Sequence, residues 1–229
     1  MDRAGPGAPD AADAAGLLPP LGILGGTFDP IHLGHLAIAA AAREALDLAG
    51  VVLVPAAVPP HKRDREITPA ARRVALVELA VAGDPTLAVS RIELERAGPS
   101  WAVDTVAAFA AAATAEGRAA PWFILSVEAL AAFGTWREPE RILDLCRIAA
   151  VPRPGAVAPT PAALAARFPG RDHRIMLLPG PTLAISATEV RARIAAGLSI
   201  RHLVPPAVAA AIARDGLGVP AGALRADAG

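Results

Sequence analysis

Six short apolar runs recur along the chain: Leu21–Leu24, Val51–Pro55, Leu87–Leu94, Trp122–Leu125, Arg147–Val151 and Arg174–Leu178. Between and after them lie stretches whose apolar residues recur at helical spacing: Leu33–Ala49, Pro69–Val81, Trp101–Glu116, Ala129–Leu145 (broken near Gly134), Pro161–Arg167, Thr188–Ala196 and Pro206–Ala213. Parallel strands need a crossover of this length, usually a helix, and such crossovers are right-handed. The alternation therefore predicts an α/β fold, a doubly wound parallel sheet with helices on both faces. Local signals place several boundaries. Thr68 before Pro69 reads as an N-cap with proline at the first helical position, and Ser100 before Trp101 reads as a second N-cap. Gly50, Gly83, Gly117 and Gly197 stand where left-handed C-caps would end helices. Residues 1–20 are Ala, Gly, Pro and Asp without periodicity and read as a disordered leader. Residues 21–217 read as one domain and 218–229 as a flexible tail.

Composition narrows the class. With 54% hydrophobic and 19% charged residues over 229 positions, the chain can bury a core, so disorder is excluded as its dominant state. Lys+Arg and Asp+Glu both number 22, which removes the excess positive charge that drives nucleic-acid binding. The one cysteine, Cys146, has no partner for an internal disulfide and no cluster with which to hold zinc. No apolar run reaches membrane-spanning length; residues 102–115 are mostly alanine and contain Asp104. Asp2, Asp10 and Asp13 interrupt the N-terminus, unlike a secretory signal. The expectation is a soluble cytoplasmic protein with no nucleic-acid or membrane partner.

The segment Gly25-Gly26-Thr27-Phe28-Asp29-Pro30-Ile31-His32-Leu33-Gly34-His35 directly follows the first apolar run and opens a helical pattern. Ligands of such sheets bind beyond the carboxyl ends of the strands. Adjacent glycines remove side-chain bulk so that backbone N–H groups can meet a phosphate, and the helix N-terminus adds partial positive charge. His32 and His35, three apart at a helix start, share a face, and Gly34 between them lets a ligand approach the backbone. The segment is neither a GxGxxG fingerprint nor a GxxxxGK[ST] loop.

Four further segments carry chemistry. Val54–Lys62 (VPAAVPPHK) is a proline-stiffened loop in which Lys62 supplies a point charge. Ile185–Arg191 (ISATEVR) offers Ser186 or Thr188 as an N-cap, with Arg191 one turn inside and suited to bridging phosphates. Trp122–Leu130 (WFILSVEAL) is followed by Phe133 and Trp136, and Arg96–Thr105 reads RAGPSWAVDT.

Taken with GGTFDPIHLGH, these segments resemble bacterial nicotinate-nucleotide adenylyltransferases of the HxGH nucleotidyltransferase superfamily, over about residues 21–217. The resemblance implies a Rossmann-like nucleotidyltransferase fold and transfer of AMP from ATP to nicotinate mononucleotide, giving deamido-NAD and pyrophosphate in NAD biosynthesis. It assigns ATP phosphate contacts to His32 and His35, joined by Lys62 and Arg191. It places Gly25, Gly26, Thr27, Phe28, Glu128, Ser186 and Thr188 on ATP, and Trp101, Ala102 and Trp136 on nicotinate mononucleotide. Mg²⁺ is expected with ATP, held mainly by its phosphates, since the chain shows no dedicated carboxylate cluster; a homo-oligomer is compatible with the family. Arg73 matches an arginine common in the family and reads equally as a surface residue. The match frays at Ser126 and Glu128, where the family has glycine and aspartate, at Trp101 and Ala102, where it has tyrosine and threonine, and at Ala187, where it has serine. Glutamate can still accept ribose hydrogen bonds, whereas Ala102 removes a hydroxyl from the pyridine side. Two alternatives stay open on sequence: a neighbouring substrate pair, or a nucleotide-binding protein that has lost turnover.

Overall fold

The computed structural model of the chain describes residues 16–59, 67–181 and 183–215. The elements run β1 Leu21–Gly26, α1 Leu33–Leu46, β2 Gly50–Pro55, α2 Ala70–Val81, β3 Leu87–Val89, α3 Ala102–Ala115, β4 Trp122–Ser126, α4 Val127–Ala132, α5 Pro139–Leu145, β5 Arg147–Val151, α6 Pro161–Arg167, β6 Ile175–Leu177, α7 Ala187–Ala195 and α8 Pro206–Asp215. All six strands are parallel and lie in the order β3-β2-β1-β4-β5-β6. The chain winds outward from β1 in one direction and then outward from β4 in the other. A topological switch point therefore opens between β1 and β4, where such sheets bind ligands.

Period-two alternation along each strand divides the core in two. Leu24, Ile124, Ala149 and Val151 face a cluster with Ile38, Leu76, Val190 and Val208, which places α1, α2, α7 and α8 on one side. Ile23, Phe123, Leu125, Ile148 and Ala150 face the other cluster with Val103, Leu130, Ile142 and Leu164, which places α3 to α6 opposite. Ile23, Leu53, Ile124 and Ile148 are almost wholly buried, and each such side chain contributes roughly 1.5–3 kcal/mol by leaving water.

The doubly wound sheet is thus as expected, but several boundaries differ for local reasons. β3 stops at Val89, because the chain turns at Arg91, whose carbonyl accepts from the N–H groups of Leu94 and Glu95, and carries Glu93 inward. Asp47, not Gly50, takes the left-handed cap of α1 (φ 49°), and Gly50 opens β2 against the Thr86 carbonyl. Gly83, Gly117 and Gly197 do hold positive φ just past α2, α3 and α7. Pro69 rather than Thr68 caps α2, leaving Thr68 buried. Trp101 rather than Ser100 is the capping residue of α3. The expected break near Gly134 is a 3-10 turn, Phe133–Thr135, followed by Glu138 in the left-handed region (φ 51°) and Pro139 opening α5.

The leader boundary set at residue 20 falls within a paired stretch: the N–H of Leu18 donates to the Gly117 carbonyl, and the N–H of Ala119 donates to that of Leu18, at 3.0 Å each. Residues 1–15 and the tail from 216 lie outside the described residues. Among the described residues no helix is long and apolar enough to cross a membrane.

Candidate active site

The loop after β1 is built around a bulky residue in a conformation that side chains rarely adopt. Phe28 has φ 48° and is buried, and its ring occupies the space beside Gly26, where a Cβ would come within 2.9 Å of it. Gly26 is therefore required by the aromatic ring that covers it, a constraint additional to any approach of phosphate. The loop is braced from behind by Arg73. This residue is 1% exposed, contrary to a surface reading. Its Nε donates to the Thr68 carbonyl (2.7 Å), its Nη1 to that of Thr27 (2.5 Å), and its Nη2 to those of Ala56 (2.6 Å) and Ala57 (3.3 Å). Burial works against its charge, and the nearby Asp29 carboxylate offsets part of that effect.

His32 and His35 meet as the helical spacing predicts, their rings stacked at 3.7 Å between centroids. Phe28 packs edge-on to His35 at 4.9 Å. The backbone N–H of His32 donates to Nδ1 of His35 at 3.2 Å, so the neutral His35 ring carries its proton on Nε2. His32 itself is 2% exposed, and burial, helped by the positive charge of Arg153, holds its pKa down to about 4. Gly34 lies against this ring and the Ile185 carbonyl, where a Cβ would sit 3.0 and 3.3 Å away. Its smallness serves the packing of α1 against the approach to α7, rather than leaving backbone open to a ligand.

Because His32 stays neutral in the fold but charges near pH 6.5 in the unfolded chain, the unfolded state binds more protons between about pH 4 and 6.5. Stability accordingly rises with pH across that window, by at most about 3 kcal/mol from this group. His32→Asn should flatten the acid limb, as measured by denaturant unfolding at about pH 4.5 and pH 7. An unchanged gap between the two pH values in the variant would remove His32 as its source.

A cavity of about 390 Å³ opens at the switch point. Gly25, Gly26, Thr27 and His35 form one wall, and Trp101, Ala102, Ser126 and Trp136 stand among the residues of the others. Trp136 is set edge-on to Phe133 (5.5 Å) and Phe123 (6.2 Å). Trp101 carries the Arg137 guanidinium over its ring at 5.4 Å. Ser126, which stands where the family has glycine, turns its hydroxyl into the α4 cap, accepting from the Ala129 N–H at 3.2 Å. Glu128 is exposed on the first turn of α4 and is not among the lining residues.

Ser186, rather than Thr188, caps α7, accepting from the Glu189 N–H at 3.1 Å. Thr188 instead accepts from Arg191 Nη2 at 3.2 Å. Arg191 Nη1 donates to the Asp29 carbonyl at 2.5 Å, which ties α7 to the β1–α1 loop without placing the arginine in the cavity wall. Lys62 lies outside the described residues.

Sequence reasoning passed over Glu93 and Arg153, which also line the cavity, and Ser100's actual task. Ser100 Oγ accepts from the N–H groups of Ala57 (2.9 Å) and Val58 (3.2 Å), pinning the start of the β2–α2 loop. Burial pushes the Glu93 carboxyl upward, opposed by hydrogen bonds from the Thr105 and Ser100 hydroxyls. The Thr105 bond is 2.6 Å long. The signal for Glu93 was its place among apolar neighbours in Ile92-Glu93-Leu94, which reads as strand alternation unless the turn is known.

The sequence profile of the cytidylyltransferase-like family matches residues 23–193. A relative from Roseiflexus sp. (strain RS-1), named a probable nicotinate-nucleotide adenylyltransferase, is 46% identical over 198 residues, covering 86% of this chain and 97% of its own. One of the same name from Thermomicrobium roseum is 40% identical over 197 residues, covering 86% and 90%. The chain belongs to the nicotinate-nucleotide adenylyltransferase family. The fold agrees: the Plasmodium falciparum nicotinic acid mononucleotide adenylyltransferase complexed with NaAD superposes with a TM-score of 0.70, covering 88% of this adenylyltransferase-family chain and 98% of that one, at 16% identity. Among the described residues of this family member, no group of three or more His, Cys, Asp and Glu could hold a metal ion.

Proposed function

We propose that this protein transfers the adenylyl group of ATP to nicotinate mononucleotide, releasing pyrophosphate and forming deamido-NAD, and that it does so in the cytoplasm as a step of NAD biosynthesis. The single observation that carries the reading is the shared cavity: the glycine-rich loop and His35 form one wall, and Trp101, Ala102 and Trp136 stand in the same enclosure. A polar end for phosphates and an aromatic end for a flat ring are what a dinucleotide product requires.

The nucleophile is a phosphate oxygen of the acceptor. It attacks the α-phosphorus of ATP, the bond from that phosphorus to the bridging oxygen breaks, and pyrophosphate leaves with the electron pair. No proton has to be removed from the acceptor, so neither a general base nor a covalent intermediate is needed. The protein's share is positioning and charge neutralisation. His35, with its proton on Nε2, donates to a phosphate oxygen from the cavity wall. The backbone of Gly25, Gly26, Thr27 and Phe28 and the capped start of α7 at Ser186 and Thr188 face the triphosphate. Arg191, on α7, and Lys62 add positive charge toward the phosphates. His32, buried and neutral, sets the position of His35 through stacking and its backbone N–H. Glu128 contacts the ribose only if α4 shifts toward the cavity. Mg²⁺ bound with ATP would be held mainly by the ATP phosphates and would supply charge neutralisation there.

The deciding assay is pyrophosphate release from MgATP with nicotinate mononucleotide, nicotinamide mononucleotide or phosphopantetheine supplied in turn. Deamido-NAD should form in step with pyrophosphate when nicotinate mononucleotide is the acceptor. Pyrophosphate release with phosphopantetheine alone would reject the reading.

A further inference from the structure

Arg153 stands two residues beyond the end of β5, at the carboxyl edge of the sheet. It is half-buried and borders the main cavity and, beside it, a closed seam too tight for a water molecule, formed with His32, Gly34, Pro181, Leu183 and Ile185. Its backbone is held firmly. The Arg153 carbonyl accepts from the Ala156 N–H at 3.0 Å, and the preceding Pro152 carbonyl abuts Gly180 so closely that any Cβ there would collide with it.

Its head group is not engaged in the same way. Arg73, Arg167, Arg174, Arg191 and Arg193 spend guanidinium N–H groups on backbone carbonyls. Among the described residues the Arg153 guanidinium has no hydrogen bond or ion pair. A second unspent group lies beside it: Nδ1 of His32, wholly shielded from solvent and without a hydrogen-bond partner. A fork of N–H donors left open in a half-buried cleft is suited to an oxyanion that accepts two parallel hydrogen bonds.

We propose that Arg153 is a catalytic residue that binds the leaving pyrophosphate of the nucleotide donor. The inference rests on the adenylyl-transfer reading and deepens it. Position decides which anion. The acceptor's ring belongs with Trp101, Ala102 and Trp136, whereas Arg153 also borders the closed seam that runs to Ile185, the residue before the Ser186 cap of α7. Pyrophosphate departing from the α-phosphorus toward α7 passes between this guanidinium and the helix start. There the arginine balances charge that grows as the bridging bond breaks.

The test uses the full-length protein and pyrophosphate itself as the probe. Equilibrium binding of pyrophosphate and of ATP is measured for wild type, Arg153→Ala and Arg153→Lys, beside steady-state kinetics. The alanine variant should bind pyrophosphate at least about tenfold more weakly and raise the KM for ATP by a similar factor, with the KM for nicotinate mononucleotide changed less than about twofold. Lysine should recover part of the pyrophosphate affinity, which a merely structural role would not predict. Pyrophosphate and ATP binding within about twofold of wild type in the alanine variant, or a loss falling on the nicotinate mononucleotide KM, would overturn the assignment. Absence of turnover in the wild type would instead strike the adenylyl-transfer reading, and the binding comparison would still judge Arg153 on its own.

Discussion

His35→Ala lowers kcat by about a hundredfold or more while leaving the fold intact, a loss typical of removing one preorganised donor from a developing charge. The expectation follows from geometry. His35 is in the cavity wall, and its Nδ1 is engaged by the His32 N–H, so the proton on Nε2 is the one it can offer to phosphate. The ring is held on two sides, by His32 at 3.7 Å and Phe28 at 4.9 Å, so little ordering is left to occur at the moment of reaction. His35→Asn retains a donor and should recover part of the loss. Turnover within about threefold of wild type for His35→Ala would show that the imidazole does not touch the reacting phosphates.

Arg73→Met should cost stability on a scale unusual for one substitution. The guanidinium serves four backbone carbonyls from three segments, Thr27 after β1, Ala56 and Ala57 after β2, and Thr68 before α2. Methionine fills much of the volume but leaves these oxygens without donors, at about 1–3 kcal/mol for each that finds no water. A total near 4 kcal/mol follows, or a fall in Tm of roughly 10 °C for a domain of this size. Arg73→Lys should rescue little, since one ammonium cannot span the three segments. Denaturant unfolding with a loss under about 1 kcal/mol would mean that these carbonyls find other donors.

The sheet was legible because its evidence is repetitive. Each strand's alternation between Ile23 and Leu24, or among Phe123, Ile124 and Leu125, is the same signal that later divides the two cores. The strand–helix junction at Gly25–His35 was legible for a different reason: glycines, spaced imidazoles and a helix start coincide there. What escaped was whatever depends on tertiary partners. Nothing in the string around Arg73 distinguishes a buried clamp from a solvated helix face, since the carbonyls it serves come from residues as far as 46 positions away. Ser100 looked like a helix cap because the residue after it starts a helical pattern, yet its hydroxyl accepts from Ala57 and Val58, 43 and 42 positions away. Glu128 was placed by its alignment with a family aspartate, and it stands exposed on the first turn of α4. Ser126 shows the opposite case, a substitution that the fold absorbs into a cap.

One measurement tests the whole arrangement: a crystal structure with deamido-NAD bound. The dinucleotide should span the cavity at the β1–β4 switch point, with its phosphates within hydrogen-bond reach of His35 and the Gly26–Phe28 backbone and its pyridine ring against Trp136. Binding elsewhere, or with the pyridine ring at the glycine-rich loop and the phosphates against the tryptophans, would contradict it.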